Sequence, residues 1–516
     1  MNGVLSIVLL GTLSFWGAGQ AFGAEGPRVT TAAPPLSFVD KALADLSSGD
    51  QARQDTAVLA LSEQGDPALL PKLEEIRDNA DRSVRLAIKP LMDLLRNRAN
   101  LSSPDSDKRR SAATDLGSSG KPLVIPWLES ALAGETNRWV RYTLEESLAL
   151  IRLASDNPDG KIKAAAKLGE LRSPNAVPAL KELIQQAGAT DATDQQKVLA
   201  NTARAAIEQI DIWASWANAF ETIFRGISLS SILLIMSLGL AIVFGLMGVI
   251  NMAHGELMMI GAYATFVTQE CFKAYLPAGL FDYYFLMSMP VSFCIAALSG
   301  LILEATIIRF LYGRPLETML ATWGVSLVLI QAARVYFGDL TSVAAPSWLS
   351  GGAQVMVGVY LPYNRIFIIV LSILCVAGIY FLLFRTGIGL RVRAVMQNRG
   401  MSSCLGIPTR KVDAYTFAFG SGLAGLAGCA LTLVGNVEPG LGQNYIVDSF
   451  MVVVTGGVGK LTGTIVASLG IGGLNKLLEP SFGAVYGKVL ILVLVVLFLQ
   501  RRPSGLFTIK GRHADA

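Results

Sequence analysis

Beyond about Phe220 the chain is a succession of long apolar runs separated by short loops, and very few folds satisfy that pattern. In lipid every backbone amide and carbonyl must find its partner inside the protein, so runs of this kind fold as helices that span a bilayer. Nine read as crossings: 223–246, 257–270, 284–308, 316–337, 366–384, 412–434, 445–455, 462–478 and 484–500. The seventh has only eleven residues, against the roughly 20 needed to cross a ~30 Å hydrocarbon core. It is expected to be a half-helix with extended ends.

Between the first two runs lies Asn251-Met252-Ala253-His254-Gly255-Glu256, which sets an amide, an imidazole and a carboxylate within six residues. Polar groups are costly at membrane depth and, when present, line a cavity or pair inside a bundle. A helix pair interrupted in this way suits a transport pathway better than a simple anchor. A turn between two spans at the inner membrane face accounts for the same residues, and both readings stand.

The first 209 residues differ sharply, being mixed and charged. Residues 1–23 read as a signal peptide, with an apolar run from Val4 to Phe22 and a small-x-small site at Ala21-Phe22-Gly23. Their start carries no Lys or Arg, so an uncleaved anchor helix is the other reading; either one exports the domain behind it. A Thr/Ala/Pro linker occupies 24–36, a repeat domain 37–211, an interfacial linker 212–222, a membrane domain 223–500 and a basic tail 501–516.

The repeat domain is legible from its prolines. Ala57 to Leu73 recurs as Ala112 to Leu128 and again as Ala165 to Leu180; Pro67, Pro122 and Pro174 stand 55 and 52 residues apart. Short amphipathic helices broken by proline turns at a fixed period form an α-solenoid, in which each unit covers its neighbour's apolar stripe. The domain resembles HEAT-like repeats. It contains no histidine and no cysteine, which excludes a Ser-His-Asp site, a disulfide framework and a thiolate zinc site. Cys271, Cys294, Cys375, Cys404 and Cys429 all lie later and none has metal-ligand spacing. Trp213 and Trp216, just before the first span, are expected to anchor the membrane interface.

Charge sets the orientation. With an exported N-terminus, the inner loops hold Arg309, Arg314, Arg385, Arg391, Arg393, Arg399, Arg410, Lys411, Lys460, Arg501, Arg502, Lys510 and Arg512, against Lys273 outside. That asymmetry places the C-terminus in the cytoplasm, and parity then requires an odd number of crossings. The formal net charge of +4 is small and says little about nucleic acid, and no nucleic-acid partner is expected.

Two loops bear on energy coupling. Gly456-Gly457-Val458-Gly459-Lys460 resembles a phosphate loop but is followed by Leu461 where Ser or Thr would hold magnesium. No other stretch suits ATP, so no catalytic residue or cofactor is expected on this chain. The loop from Arg385 to Lys411 reads as a short amphipathic helix over 390–397, a break at Gly400 and a turn at Gly406-Ile407-Pro408. It can lie on anionic lipid or dock a cytoplasmic partner.

Five ordered motifs carry a resemblance: Gly248 to Glu256; Arg393-Ala394 with Gly406-Ile407; Gly422 to Gly428; Asp448-Ser449-Phe450 with Gly456, Gly457 and Gly459; and Arg502-Pro503 with Gly505-Leu506-Phe507. From about Phe220 to Lys510 the chain resembles the branched-chain amino acid family of bacterial ABC permeases. Leu320 to Ser326, Gln397 to Arg399 and Gly435 to Gln443 are more similar to its urea-transporting branch. The resemblance implies an all-α inner-membrane permease with a periplasmic helical-repeat domain ahead of it. It implies a second permease chain, making a heterodimer, two cytoplasmic ATPases that bind the ATP, and a periplasmic solute-binding protein. Asn251, His254, Glu256 and Asp448 are the expected substrate pathway; Arg391, Arg393, Ala394, Gly406 and Ile407 are the expected ATPase contact. The expected cargo is urea, with branched-chain amino acids or short amides as the alternative within the family and a passive solute channel outside it.

Overall fold

The computed structural model describes residues 38–46, 50–187 and 193–507. The expected signal peptide, the adjoining linker, Lys510 and Arg512 lie outside the described residues. The chain divides into two compact units, 1–156 and 157–516.

The described part of the first unit is seven helices: α1 (Phe38–Leu46), α2 (Gln51–Gln64), α3 (Leu70–Asn79), α4 (Arg82–Asn100), α5 (Ser106–Ser118), α6 (Ile125–Gly134) and α7 (Arg138–Ala154). The repeated prolines act as the pattern implies. Pro67 and Pro122 each open a 3-10 turn, and Pro71 and Pro126 sit in the first turn of the next helix, where a missing N–H costs nothing. Asp50, Asp105 and Asn137 cap α2, α5 and α7 by accepting from backbone amides. Leu61, Leu73, Ile88, Leu95, Leu116, Leu128 and Leu144 form one buried core.

Arg109 of α5 is bidentate to Glu135, with Nε to Oε2 at 2.7 Å and Nη2 to Oε1 at 3.1 Å. The Arg109 guanidinium holds the Glu135 carboxyl below the usual carboxylate range. A carboxyl whose pKa is depressed by folding adds stability above its unfolded pKa, and that stability is lost as pH falls through the folded value. Residues 38–156, which own a complete core, are expected to fold alone and to lose stability below about pH 4.5. Glu135→Gln should flatten that acid limb in denaturant titrations; an unchanged limb would remove the pair from the account.

In the second unit the third repeat, α8 (Pro158–Leu171), a 3-10 turn at Pro174–Ala176 and α9 (Val177–Ala187), packs on α10 (Asp194–Met247). Gly169 lies so close to α10 that a Cβ there would sit 2.9 Å from the Ala206 Cα. The third repeat therefore groups with the membrane helices, although the sequence suggests one domain through 211. The stretch 212–222, expected as a linker, is the middle of one uninterrupted 54-residue helix. Trp213 is an internal contact and not a free anchor: its Nε1 donates to the Val357 carbonyl at 2.9 Å, and Arg172 lies over its ring at 3.9 Å. Trp216 is 72% exposed.

The remaining helices are α11 (His254–Tyr275), α12 (Tyr284–Thr306), α13 (Pro315–Phe337), α14 (Tyr363–Arg385), α15 (Gly387–Gln397), α16 (Arg399–Cys404), α17 (Thr409–Leu431), α18 (Leu441–Gly456) and α19 (Leu461–Arg501). Each expected crossing is helical, but the last two share α19, which Gly483 interrupts at φ 76°, ψ 165°. Among the described residues six helices are long and apolar enough to span. α11 and α18 are not among them. Both are packed inside the bundle, where other helices rather than lipid meet their polar groups. The seventh segment is longer than the eleven residues expected: α18 has 16, about 24 Å at 1.5 Å per residue.

One departure from the all-α expectation is a hairpin, β1 (Gly352–Met356) paired antiparallel with β2 (Val359–Pro362). Its turn uses Gly358 at φ 82°. Strands this short carry no readable alternation.

The centre of the bundle is α17, which packs on α10, α11 and α12. The small residues Gly420, Ala424 and Gly428 face helices of this same chain: a Cβ on Gly420 would lie 2.8 Å from the Gly239 carbonyl oxygen, and one on Gly428 would lie 1.9 Å from that of Met258. Backbones approach this closely only where side chains are absent.

Candidate functional site

α10 ends at Gly248, whose φ of 65° makes a left-handed cap, and α11 begins six residues later at His254. In the intervening segment Val249, Asn251 and Ala253 are buried and Ile250 and Met252 half-buried; Asn251 and His254 are 0% and Glu256 1% exposed. The knot is thus an interrupted helix inside the bundle, and not a turn at its surface. Asn251 Oδ1 accepts from the Ala253 amide at 3.0 Å. His254 Nε2 lies 3.3 Å from the Met236 carbonyl of α10. Glu256 Oε1 accepts from Ser326 Oγ of α13 at 2.7 Å, and Thr322 of the same helix accepts from the Met252 amide at 3.1 Å.

Each of the three side chains keeps one polar atom unspent. Asn251 Nδ2, His254 Nδ1 and Glu256 Oε2 are buried and have no hydrogen-bond partner among the described residues. An unmet buried polar atom costs about 1–3 kcal/mol, so three in one segment demand a reason. α18 closes the far side: a Cβ on Gly442 would lie 2.3 Å from the Gly255 carbonyl oxygen and 2.8 Å from Glu256 Oε2.

Asp448, expected beside these residues, is held elsewhere. Its carboxylate meets Lys488 Nζ of α19 at 3.4 Å, and Lys488 also donates to the Asn444 carbonyl. Asp448 is six positions along α18 from Gly442, roughly 240° around the helix, so the two residues serve different faces. Sequence reasoning missed Thr322, Ser326 and Gly442 as partners of the knot. The available signal was polar spacing on α13, where Thr318, Thr322 and Ser326 recur every four residues in an apolar run.

The loop expected to meet ATPases folds as two helices. α15 buries Val392 and Val395 against Val412 of α17 and sets Gly389 against the Leu382 and Leu383 carbonyls that end α14. Arg391 is exposed, while Arg393, Ala394 and Ile407 are partly buried. The break is at Asn398, not Gly400: Asn398 ends α15 and caps α16, accepting from the Met401 amide at 2.9 Å. An Asx cap stops one helix and starts the next, so Gly400 simply sits within α16. Gly406, at φ 80°, turns the chain toward α17. Leu390, Met401 and Leu405, at 62%, 59% and 74% exposed, project from this platform.

Among the described residues no group of three or more His, Cys, Asp or Glu is placed to hold a metal, and the five cysteines are unpaired.

Residues 222–499 match the family described as "Branched-chain amino acid transport system / permease component". Residues 161–186 match the "PBS lyase HEAT-like repeat", which is the third repeat. The chain is 29% identical over 292 residues to the "High-affinity branched-chain amino acid transport system permease protein BraD" of Pseudomonas aeruginosa, covering 55% of this chain and 94% of that protein. It is 27% identical over 295 residues to the corresponding protein LivH of Escherichia coli, with the same two coverages. A "Ribose import permease protein RbsC" of Haemophilus influenzae is 28% identical over 193 residues, which is 35% of this chain and 57% of that one. No solved structure matches.

Proposed function

Because this chain belongs to the family of branched-chain amino acid transport permease components, we propose that it lines the path of a small neutral polar solute, urea above all, in a binding-protein-dependent ABC importer. It is a membrane permease and not an enzyme. The observation that carries the substrate reading is the set of unspent atoms at the knot. Asn251 Nδ2 donates and Glu256 Oε2 accepts, which matches the carbonyl and amino groups of urea. An amino acid presents charge at both ends and calls for a cation at the site. Among the described residues of the expected spans the cations pair with acids outside the knot: Arg225 with Glu221, Arg334 with Asp339 at 3.1 Å near the end of α13, Lys476 with Glu479 and Lys488 with Asp448. The names of the BraD and LivH proteins favour the second reading, a branched-chain amino acid, with the missing cation supplied by a second permease chain.

The experiment is uptake into vesicles holding this chain, its second permease chain, two ATPases and the solute-binding protein, with labelled urea and labelled leucine. ATP-dependent urea entry that leucine does not compete supports the reading. Leucine entry transfers it to amino acids, and ATP-independent entry makes the protein a passive channel.

The repeat domain is proposed to lie in the periplasm and the C-terminus in the cytoplasm, supported by the loop asymmetry of basic residues. Reporters fused after Asp211 and after Met401 should read outside and inside respectively; the reverse result inverts the topology.

The exposed apolar residues of α15 and α16 support this platform as the ATPase contact. Ala394→Glu would place a carboxylate at that contact, and an unpaired charge buried at an interface costs about 3–5 kcal/mol. Co-purification of the ATPases should fall 100-fold or more (about 1.4 kcal/mol per tenfold) at unchanged membrane abundance. Undiminished co-purification returns the platform to the lipid surface.

A further inference from the structure

We propose that Arg399 and Asp413 form an ion-pair latch that carries movement of the α15–α16 platform into α17 and so to the Asn251–Glu256 segment; this rests on the permease reading above. Arg399 is the first residue of α16, positioned by the Asn398 cap. Its Nη2 donates to Asp413 Oδ2 at 2.6 Å. The two side chains are unequally placed: that of Asp413 is 1% exposed and that of Arg399 is 44% exposed. The guanidinium also lies over the Tyr312 ring at 4.7 Å, which closes the pair against the segment between α12 and α13. Among the described residues Asp413 Oδ1 has no partner and Arg399 is the cation paired with this sealed carboxylate, reaching in from the platform.

That asymmetry gives the pair a mechanical sense. If α16 moved and released the carboxylate, an uncompensated charge would remain inside the protein, a strongly unfavourable state. α17 therefore follows α16 instead of parting from it. The neighbours of Asp413 extend the link in both directions. Val412 packs with Val392 and Val395 of α15. Phe417, one turn beyond Asp413, packs with Val249 and Ala253, which bracket Asn251. Gly420 then rests on the backbone of α10 at Gly239. A rigid helix of close-packed residues transmits such a displacement because its interfaces have discrete arrangements and do not deform smoothly.

The test uses the complete transporter in vesicles and reads uptake per ATP hydrolysed, with ATPase co-purification and membrane abundance measured beside it. Arg399→Gln and Asp413→Asn should keep the ATPases bound and hydrolysing while uptake per ATP falls at least about fivefold, the lower end of typical coupling between sites. Arg399→Asp combined with Asp413→Arg should recover a substantial part of the loss. Unchanged uptake per ATP in both single variants overturns the latch. Loss of bound ATPases from Arg399→Gln alone, with Asp413→Asn normal, also overturns it and makes Arg399 a docking residue. A reduced abundance of the single variants that the charge exchange restores, with a normal ratio of uptake to hydrolysis, reduces the pair to a structural brace. Absence of ATP-driven uptake in the unaltered transporter fails the permease reading itself, and is recognised because it precedes any substitution.

Discussion

Gly428→Val is expected to leave almost no folded membrane domain. A Cβ at that position would lie 1.9 Å from the Met258 carbonyl oxygen and 2.9 Å from the Ala262 amide nitrogen. Both are backbone atoms of α11, so no rotamer change relieves the clash, and α17 and α11 must separate. Overpacking a well-filled core typically costs about 1–3 kcal/mol, with more where backbone must move. Here the separation also strips contacts from Ala424, Ala427 and Leu431, all buried in the same cluster. The expected result is at least a tenfold fall in detergent-stable protein, read by size-exclusion fluorescence. Gly378→Ala on α14 is the matched control. Nothing lies within 4 Å of a Cβ there, and replacing a mid-helix glycine stabilises by about 0.5–1 kcal/mol. Equal abundance of the two variants would show that the close approach of α11 and α17 is not what holds the bundle.

Glu256→Leu and Asn251→Ala are each expected to lower uptake about 10- to 100-fold, the loss equivalent to one hydrogen bond involving a charged or strongly polar group at about 1.5–3 kcal/mol. Membrane abundance and ATPase binding should persist, because among the described residues each side chain accepts only one hydrogen bond, from the Ala253 amide or from Ser326, and leaves its other polar atom unmet. Ser326→Ala separates positioning from contact. It deletes the donor to Glu256 Oε1 but leaves the carboxylate, so its effect should be several-fold smaller. If Ser326→Ala matches Glu256→Leu, the carboxylate serves only to hold α13. Normal uptake in Asn251→Ala at normal abundance would take the amide off the solute path.

Much of the architecture was legible without coordinates, for a simple physical reason. Lipid leaves backbone polar groups no alternative to helix, so apolar runs of sufficient length declare the membrane helices directly. The turns at Pro67, Pro122 and Pro174 were equally readable, because a proline at a helix start acts locally. The knot too was legible, since ionisable residues stand out against apolar neighbours.

What the sequence could not decide is what touches what. Nothing local marks residues 212–222 as helix interior; their state depends on α8 and α9 packing along α10 and on Trp213 meeting Val357. The resemblance placed Asp448 on the same expected pathway as Glu256, yet the rotation of α18 gives it to Lys488 and presents Gly442 to the knot. Ser326 and Thr322 lie some 70 residues from their partners, and only the fold brings such pairs together. The same holds for Arg399 and Asp413: one read as a loop cation, the other as an unremarked acid at the start of a span. By itself the sequence determined where most of the apolar helices lie, because apolar length belongs to each segment alone; it did not mark 212–222 as helix or 352–362 as a hairpin. The tertiary structure alone decided the rotation of each helix and the resulting polar contacts, because these depend on glycine-scale complementarity between segments far apart in the chain.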